Sequence, residues 1–186
     1  MGTVNKAHVG IRRAIGIGAL GASMVFIGQM AASAENASAP AAPSEPSWCH
    51  QDDMSVTIKP GGAGAGHRYA DLVLANDSDN TCSLQSYVSL RLLDAKGKPL
   101  PTRVVHLPGK PKLVTLEPFE RAVTRMDWSV VPTGDEPVDR PCQPTAASLD
   151  VDLPHSTPEP GWNVVAWNYG PVCNKGTINI SPILAG

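Results

Sequence analysis

The sequence has few aromatic residues and no excess of positive charge. Its 186 residues include four Trp, three Tyr and two Phe, and 15 Lys and Arg stand against 17 Asp and Glu, a formal net charge of −2. A nucleic acid is therefore not the expected partner, because binding to phosphates requires clustered Lys and Arg. The 18 Pro and 17 Gly exclude a helical bundle, and no window of eleven residues after residue 48 shows helical periodicity. One all-β domain is the expected fold class.

Common catalytic motifs are missing as well. The chain contains no G-x-S-x-G, no H-E-x-x-H and no C-x-x-C, which argues against a serine hydrolase elbow, a zinc protease helix, a zinc ribbon and a redox pair. A hydrolase with a loop-built site is retained as an alternative, in which His106 would act with Asp127 or Asp139 and a serine. We expect a non-catalytic protein without a cofactor.

The first 34 residues have the pattern of a secretory signal peptide. A basic start without acids is followed by 17 uncharged residues, from Ala14 to Met30, and by Ala32-Ser33-Ala34, a small-residue pattern that signal peptidase accepts. We expect cleavage after Ala34 and a secreted product, extracellular or associated with the cell wall. A retained membrane anchor is the alternative, although 17 residues are at the short limit for spanning a bilayer. Export by the general or the twin-arginine route is left open.

Residues 35–47 consist mainly of Ala, Pro and Ser, the composition of an extended linker that cannot bury enough surface to fold. The folded domain is then expected at residues 48–186. Removal of residues 1–34 takes away three basic residues and no acid, which leaves 12 basic residues against 17 acids and a charge of −5.

All four cysteines, Cys49, Cys82, Cys142 and Cys173, lie in the expected domain. An even number of cysteines in an exported chain predicts disulfides. Three pairings are possible, and we favour Cys49–Cys82 with Cys142–Cys173, which closes two loops of similar length. Each loop would stabilise the domain by about 3.5–4 kcal/mol, because a disulfide lowers the entropy of the unfolded chain.

Short strands separated by turns occupy the rest of the domain. The clearest alternation places Leu149, Val151 and Leu153 inward and Asp150 and Asp152 outward. The segments with a strand pattern are 67–76, 87–94, 112–117, 121–131, 148–153, 161–169 and 177–184. Seven to nine short strands with turns between them predict an antiparallel immunoglobulin-like β-sandwich with two disulfides.

The densest group of possible metal ligands follows the first cysteine. His50, Asp52 and Asp53 offer an imidazole and two carboxylates, which suit copper or zinc. A third protein ligand would have to come from His67, His106 or His155. An extracellular metal binder is therefore one alternative function, and an ordinary polar turn after a disulfide is the simpler interpretation.

Several short motifs resemble the secreted actinobacterial domain-of-unknown-function family 4232. The matching positions are Asn76, Cys82-Ser83-Leu84, Ser86-Tyr87-Val88, 90–93, Asp94-Ala95-Lys96-Gly97, Pro99-Leu100, Leu116-Glu117-Pro118, Ala122, Trp128, Cys142 and Cys173. The resemblance implies an immunoglobulin-like sandwich and export, and it supplies no catalytic residue. Two departures stand out: Ser86 and Val88 stand where the family often has Gly and Pro, and Phe119 follows Pro118 where the family has Gly. The second argues against a type II turn, because Phe at positive φ is strained.

The expected function is that of an exported, non-catalytic domain that binds an extracellular or cell-envelope protein or polymer. We expect a monomer without a membrane span after signal cleavage. The binding surfaces of such domains are commonly end loops, here 61–66, 102–112 and 133–141.

Overall fold

The computed structural model describes residues 47–156 and 163–186. The predicted signal peptide, residues 35–46 of the predicted linker and Trp162 lie outside the described residues. The strands are β1 (Met54–Gly64), β2 (His67–Asn76), β3 (Cys82–Leu84), β4 (Ser89–Leu93), β5 (Arg103–His106), β6 (Val114–Leu116), β7 (Arg121–Ser129), β8 (Ser148–Asp152), β9 (Val164–Ala166), β10 (Thr177–Ile180) and β11 (Leu184–Ala185). A 3₁₀ turn (Gln51–Asp53) precedes β1, and one helical turn, α1 (Cys173–Gly176), precedes β10.

The strands form three sheets. The largest has the order β1-β2-β7-β10-β5, with β11 also paired to β7, while β3 pairs with β6 and β8 lies between β4 and β9. Every pair is antiparallel except β10 with β5, which is parallel. The described part of the chain is thus mostly β with antiparallel sheets, as predicted, but it has eleven strands instead of the expected seven to nine, because short segments such as β3, β6 and β11 also pair. No helix in the described part of the chain is long and apolar enough to cross a bilayer.

The core follows from the two-residue period of the strands. In β7, Ala122, Thr124, Met126 and Trp128 are buried, whereas the residues between them are more exposed. Side chains from all three sheets join one apolar cluster. At one place the ring of Trp128 packs against Trp167 and Tyr169, with centroid distances of 4.8 and 5.7 Å.

Both predicted disulfides are confirmed. Cys49 is bonded to Cys82 and Cys142 to Cys173, at sequence separations of 33 and 31 residues. The first disulfide attaches the segment before β1 to β3, and the second joins the loop before β8 to α1.

Two predicted loops contain strand. Residues 61–66 are not a free connection, because Ala63 and Gly64 pair with β2 and only Ala65 and Gly66 form the turn. The register shifts between Pro60 and Ala63, since a bulge accommodates a proline and glycines that would otherwise interrupt the ladder. The loop predicted at 102–112 contains β5, whose pairing with β10 joins segments distant in sequence.

The turns carry the family motifs. Gly97 has φ 74° and its N–H donates to the Asp94 carbonyl at 3.0 Å, which confirms the predicted turn. Phe119 has φ 67°, and the Glu120 N–H donates to the Glu117 carbonyl at 3.1 Å. The argument from Phe119 against a turn with positive φ was therefore wrong: the flanking β6 and β7 hold the strained residue in place.

Candidate functional site

A buried ion pair lies in the small sheet of β4, β8 and β9. The register places Arg91 of β4 directly opposite Asp150 of β8. The Arg91 Nη2 and Nε atoms are 2.7 and 3.2 Å from Asp150 Oδ2, and Nη2 is 3.8 Å from Asp152 Oδ2. The Asp150 side chain is 2% exposed and that of Arg91 is 36% exposed. Opposite charges at facing positions stabilise a sheet, and a buried carboxylate requires such a partner.

The prediction that Asp150 faces solvent was therefore wrong. β8 is the central strand of its sheet, so its outward residues are covered by neighbours on both sides. Arg91 on the neighbouring strand pairs with Asp150, which the alternation pattern had predicted to face solvent. The hydrogen bond to Asp150 raises the pKa of Arg91, against the opposing effect of burial, so the guanidinium stays charged.

Both residues of the ion pair line a cleft of about 690 Å³. Apolar side chains form most of its wall: Leu93, Pro99, Ala147, Val164 and Ala166. A cleft of this size, largely apolar with a few polar groups, has the composition of small-ligand and peptide sites. The residues that line the cleft include one basic side chain, Arg91, and two acidic ones, Asp94 and Asp150, so the formal charge of the lining is negative.

The rim of the cleft is a rigid turn. Asp94 Oδ1 accepts hydrogen bonds from the backbone N–H groups of Lys98 and Lys96, both at 2.8 Å. These two bonds, the one from Lys98 foremost, lower the pKa of Asp94. The Asp94 carboxylate therefore keeps its negative charge, beside Lys96 and Lys98 of the same turn.

The predicted metal ligands lie at a different place. His50 and Asp52 are exposed on the turn before β1, and Asp53 is half-buried there. Each histidine considered as a third ligand has another neighbour.

His155 stacks on Trp48 and His106 on Tyr87, both at 3.9 Å between ring centroids. His67 lies 3.4 Å from Asp127. Among the described residues, the group that brings three possible ligand atoms within 4.8 Å is instead Glu136 with Cys142 and Cys173, whose two sulfurs form a disulfide. The metal-binding alternative stays a prediction.

The residues named for a hydrolase do not form a triad in the described structure. Asp127 contacts His67 and accepts a hydrogen bond from Asn179 Nδ2 at 2.9 Å. His106 stacks on Tyr87, and the exposed Asp139 has no ion pair with it in the part of the chain described.

Sequence reasoning missed an anion site, in which the Glu136 carboxylate is the bound anion. This carboxylate accepts hydrogen bonds from the N–H groups of Lys175, Asn174 and Thr133 and from Gln143 Nε2, at 2.8–2.9 Å. Partial burial alone would raise the pKa of Glu136, but these bonds outweigh it and lower the pKa to about 2. Asn174 and Lys175 both have positive φ, a conformation that points successive N–H groups toward one anion.

The Glu136 carboxylate therefore joins its own loop to α1. Glu136 contacts segments 38 and 39 residues away. In the sequence, the one signal for a structural role of Glu136 is its position between Gly134 and Cys142.

A comparison with protein families supplies the remaining observation. The family model described as domain of unknown function (DUF4232) matches residues 49–183. The chain belongs to the DUF4232 family. The comparisons with curated proteins and with solved structures gave no match.

The DUF4232 motifs have structural roles in this chain. The fully buried Asn76 donates to the Asn80 and Leu116 carbonyls at 2.8 and 3.2 Å and so ties the turn after β2 to β6. Trp128 is in the core, and Gly97 forms the rim turn of the cleft. The description of a DUF4232 domain names no activity, so the function has to be argued from the cleft.

Proposed function

We propose that the chain is exported, is cleaved after Ala34, and acts as a monomeric, non-catalytic immunoglobulin-like β-sandwich domain that binds a partner at the cell envelope or outside the cell. Two disulfides support an oxidising environment, because such bonds persist outside the cytoplasm. The DUF4232 resemblance supports export and the sandwich architecture.

The observation that carries the binding role is the cleft over the Arg91–Asp150 pair. Ligand clefts are typically lined by apolar side chains with a few polar groups that orient the ligand, and this cleft combines the Arg91–Asp150 pair with an apolar wall. Asp94, Asp150 and the nearby Asp152 outnumber Arg91. We therefore expect the partner to insert a protein segment with apolar side chains and one Lys or Arg.

A pair of valine variants tests this role. Val164 of β9 lines the cleft and is 43% exposed, whereas Val138 lies in a loop and is 88% exposed. Peptides selected on the purified protein from a display library should be enriched in apolar residues with a basic one. Val164→Lys should weaken their binding at least tenfold by filling and charging the cleft, while Val138→Lys should leave it unchanged.

Two results would contradict the proposal. Selection of acidic peptides would show that the charge argument is wrong, and equal binding by Val164→Lys and Val138→Lys would place the binding surface elsewhere. Export is tested separately: mass spectrometry of protein from the culture medium should give an N-terminus at Glu35.

A further inference from the structure

Strand β9 forms one edge of the small sheet and borders the cleft over the Arg91–Asp150 pair. β8 pairs with it on one side, and no strand in the described part of the chain pairs with it on the other. The side chains of Val164 and Ala166 line the cleft, while Val165 packs against the core. One strand thus supplies both an apolar wall of the cleft and a free edge beside it.

The free edge offers backbone groups that can pair with another strand. The Trp167 N–H donates to the carbonyl of Ala147, the residue before β8, at 2.9 Å. Because backbone N–H and C=O groups alternate sides along an antiparallel strand, those of Val165 also face β8, and those of Val164 and Ala166 point away from it. Within residues 47–156 and 163–186, these outward groups have no hydrogen-bond partner.

Two other edge strands have protection that β9 lacks. At the opposite edge of the small sheet, the Leu100 N–H donates to the Leu92 carbonyl at 2.8 Å, and the Leu92 N–H donates to the Thr102 hydroxyl at 2.9 Å, so the outer side of β4 is covered. At the edge of the large sheet, β1 contains Lys59, Pro60 and a register shift. A charge, a proline and a bulge each discourage pairing with another chain. β9 has the sequence Val-Val-Ala and carries none of them.

β9 is also held in place at both ends. At its start, Asn163 Nδ2 donates to the Gln51 carbonyl at 3.4 Å. At its end, Trp167 is buried and its Nε1 donates to the Gly170 carbonyl at 2.9 Å. A partner strand would therefore meet an edge that is already formed, which lowers the entropy cost of binding.

The charge of the cleft selects the side chains of such a strand. Neighbouring strands are about 4.8 Å apart, so an added strand would lie about 10 Å from β8. Its side chains on the cleft face would first meet Val164 and Ala166, which favour apolar residues. The formal charge of the lining, with Asp94 and Asp150 against Arg91, favours a basic residue over an acidic one on the same face.

We propose that β9 binds the partner by strand addition. An extended segment, with apolar residues and one Lys or Arg on the face toward the cleft, pairs with the backbone groups of Val164 and Ala166. Main-chain hydrogen bonds supply affinity in this mode of recognition, and alternate side chains supply specificity. This mode of binding rests on the peptide-binding role proposed for the cleft and adds the conformation of the bound segment.

Backbone N-methylation of a bound peptide tests the proposal. The tightest-binding peptide from the display selection is synthesised in two forms, with N-methyl groups on its odd-numbered or on its even-numbered central residues. In an extended strand only one of these sets faces β9, so by calorimetry one form should bind at least tenfold more weakly than the unmodified peptide and the other within about threefold. Binding should also slow hydrogen exchange at the Val164 and Ala166 amides at least tenfold, and less at Val165, which already pairs with β8.

Two substitutions at position 166 form a matched pair. Ala166→Pro removes an N–H that points away from β8, a position at which an edge strand accepts proline, whereas Ala166→Val keeps this donor. Ala166→Pro should weaken binding of the unmodified peptide at least tenfold, and Ala166→Val should stay within about threefold, with both variants folded by urea unfolding.

The outcomes separate this proposal from the proposed function. Equal effects of the two N-methylation patterns, or full binding by Ala166→Pro, would overturn strand addition while peptide binding at the cleft stands. A selection that gives no binding peptide would overturn both. Sedimentation that shows a dimer of the natural protein and a monomer of Ala166→Pro would assign the edge to a second copy of the chain, and would likewise overturn the proposal.

Discussion

Replacement of Glu136 by Gln is the sharpest test of how the segment around the second disulfide is held. The variant keeps the shape of the side chain but removes its charge. It also places an amide group against the N–H donors of Thr133, Asn174 and Lys175 that the carboxylate accepts. Hydrogen bonds to a charged group are stronger than neutral ones, so the free energy of unfolding should fall.

The magnitude follows from the pKa of Glu136. A decrease from 4.5 to about 2 corresponds to about 3 kcal/mol by linkage, and partial exposure of the side chain to solvent reduces this to about 2 kcal/mol. The pKa is lower in the folded state than in the unfolded state. The stabilisation is therefore complete above about pH 5 and is lost as the pH falls from about 4.5 to about 2.

Urea unfolding, followed by tryptophan fluorescence between about pH 7 and about pH 2.5, measures the effect. The difference between the natural protein and Glu136→Gln should be constant at neutral pH and should shrink through the acidic range. Asp135→Asn is the matched control, because Asp135 is exposed and adjacent; its difference from the natural protein should stay small. A difference for Glu136→Gln that is the same at both ends of the pH range would refute the reasoning.

Substitutions at Arg91 and Phe119 can be tested by the same unfolding assay, and one at Gly176 by the yield of folded protein. Arg91→Met should lower the free energy of unfolding by about 3 kcal/mol, because it takes the positive charge away from the buried Asp150 carboxylate, and Asp150→Asn in addition should restore part of the loss. Phe119→Gly should raise stability by up to about 1 kcal/mol by relieving a residue at φ 67°, whereas Phe119→Ala, which keeps the strain, should not. Gly176→Ala should give little folded protein in a yield assay, because its Cβ would overlap the Pro101 carbonyl oxygen at a φ of 75°; normal yield and stability would contradict this.

The parts of the fold with strong local patterns could be predicted from the sequence. β2 was predicted with its observed bounds, since Ala70, Leu72 and Leu74 alternate with exposed residues between two turns. The disulfide pairing was predicted because the two loops have similar lengths. These features depend on neighbouring residues and on the count of cysteines.

The parts that depend on distant segments were missed. β5 has no buried residue and therefore no clear period, and it is a strand because β10 pairs with it. β1 was hidden by Pro60 and the glycines after it, whose pairing is maintained through a bulge. Asp150 and Glu136 look like surface acids in the sequence, and only their partners on other segments give them buried or bound positions.

The position of β10 has a consequence for biogenesis. This strand lies between β7 and β5 in the large sheet, although it is made about 70 residues after β5. Until β10 has been made, β5 has no partner in the large sheet, so this edge of the sheet can form only once residue 180 is available. The pairs of β1 with β2 and of β2 with β7 involve segments that are made earlier, so the large sheet is completed in two stages during synthesis.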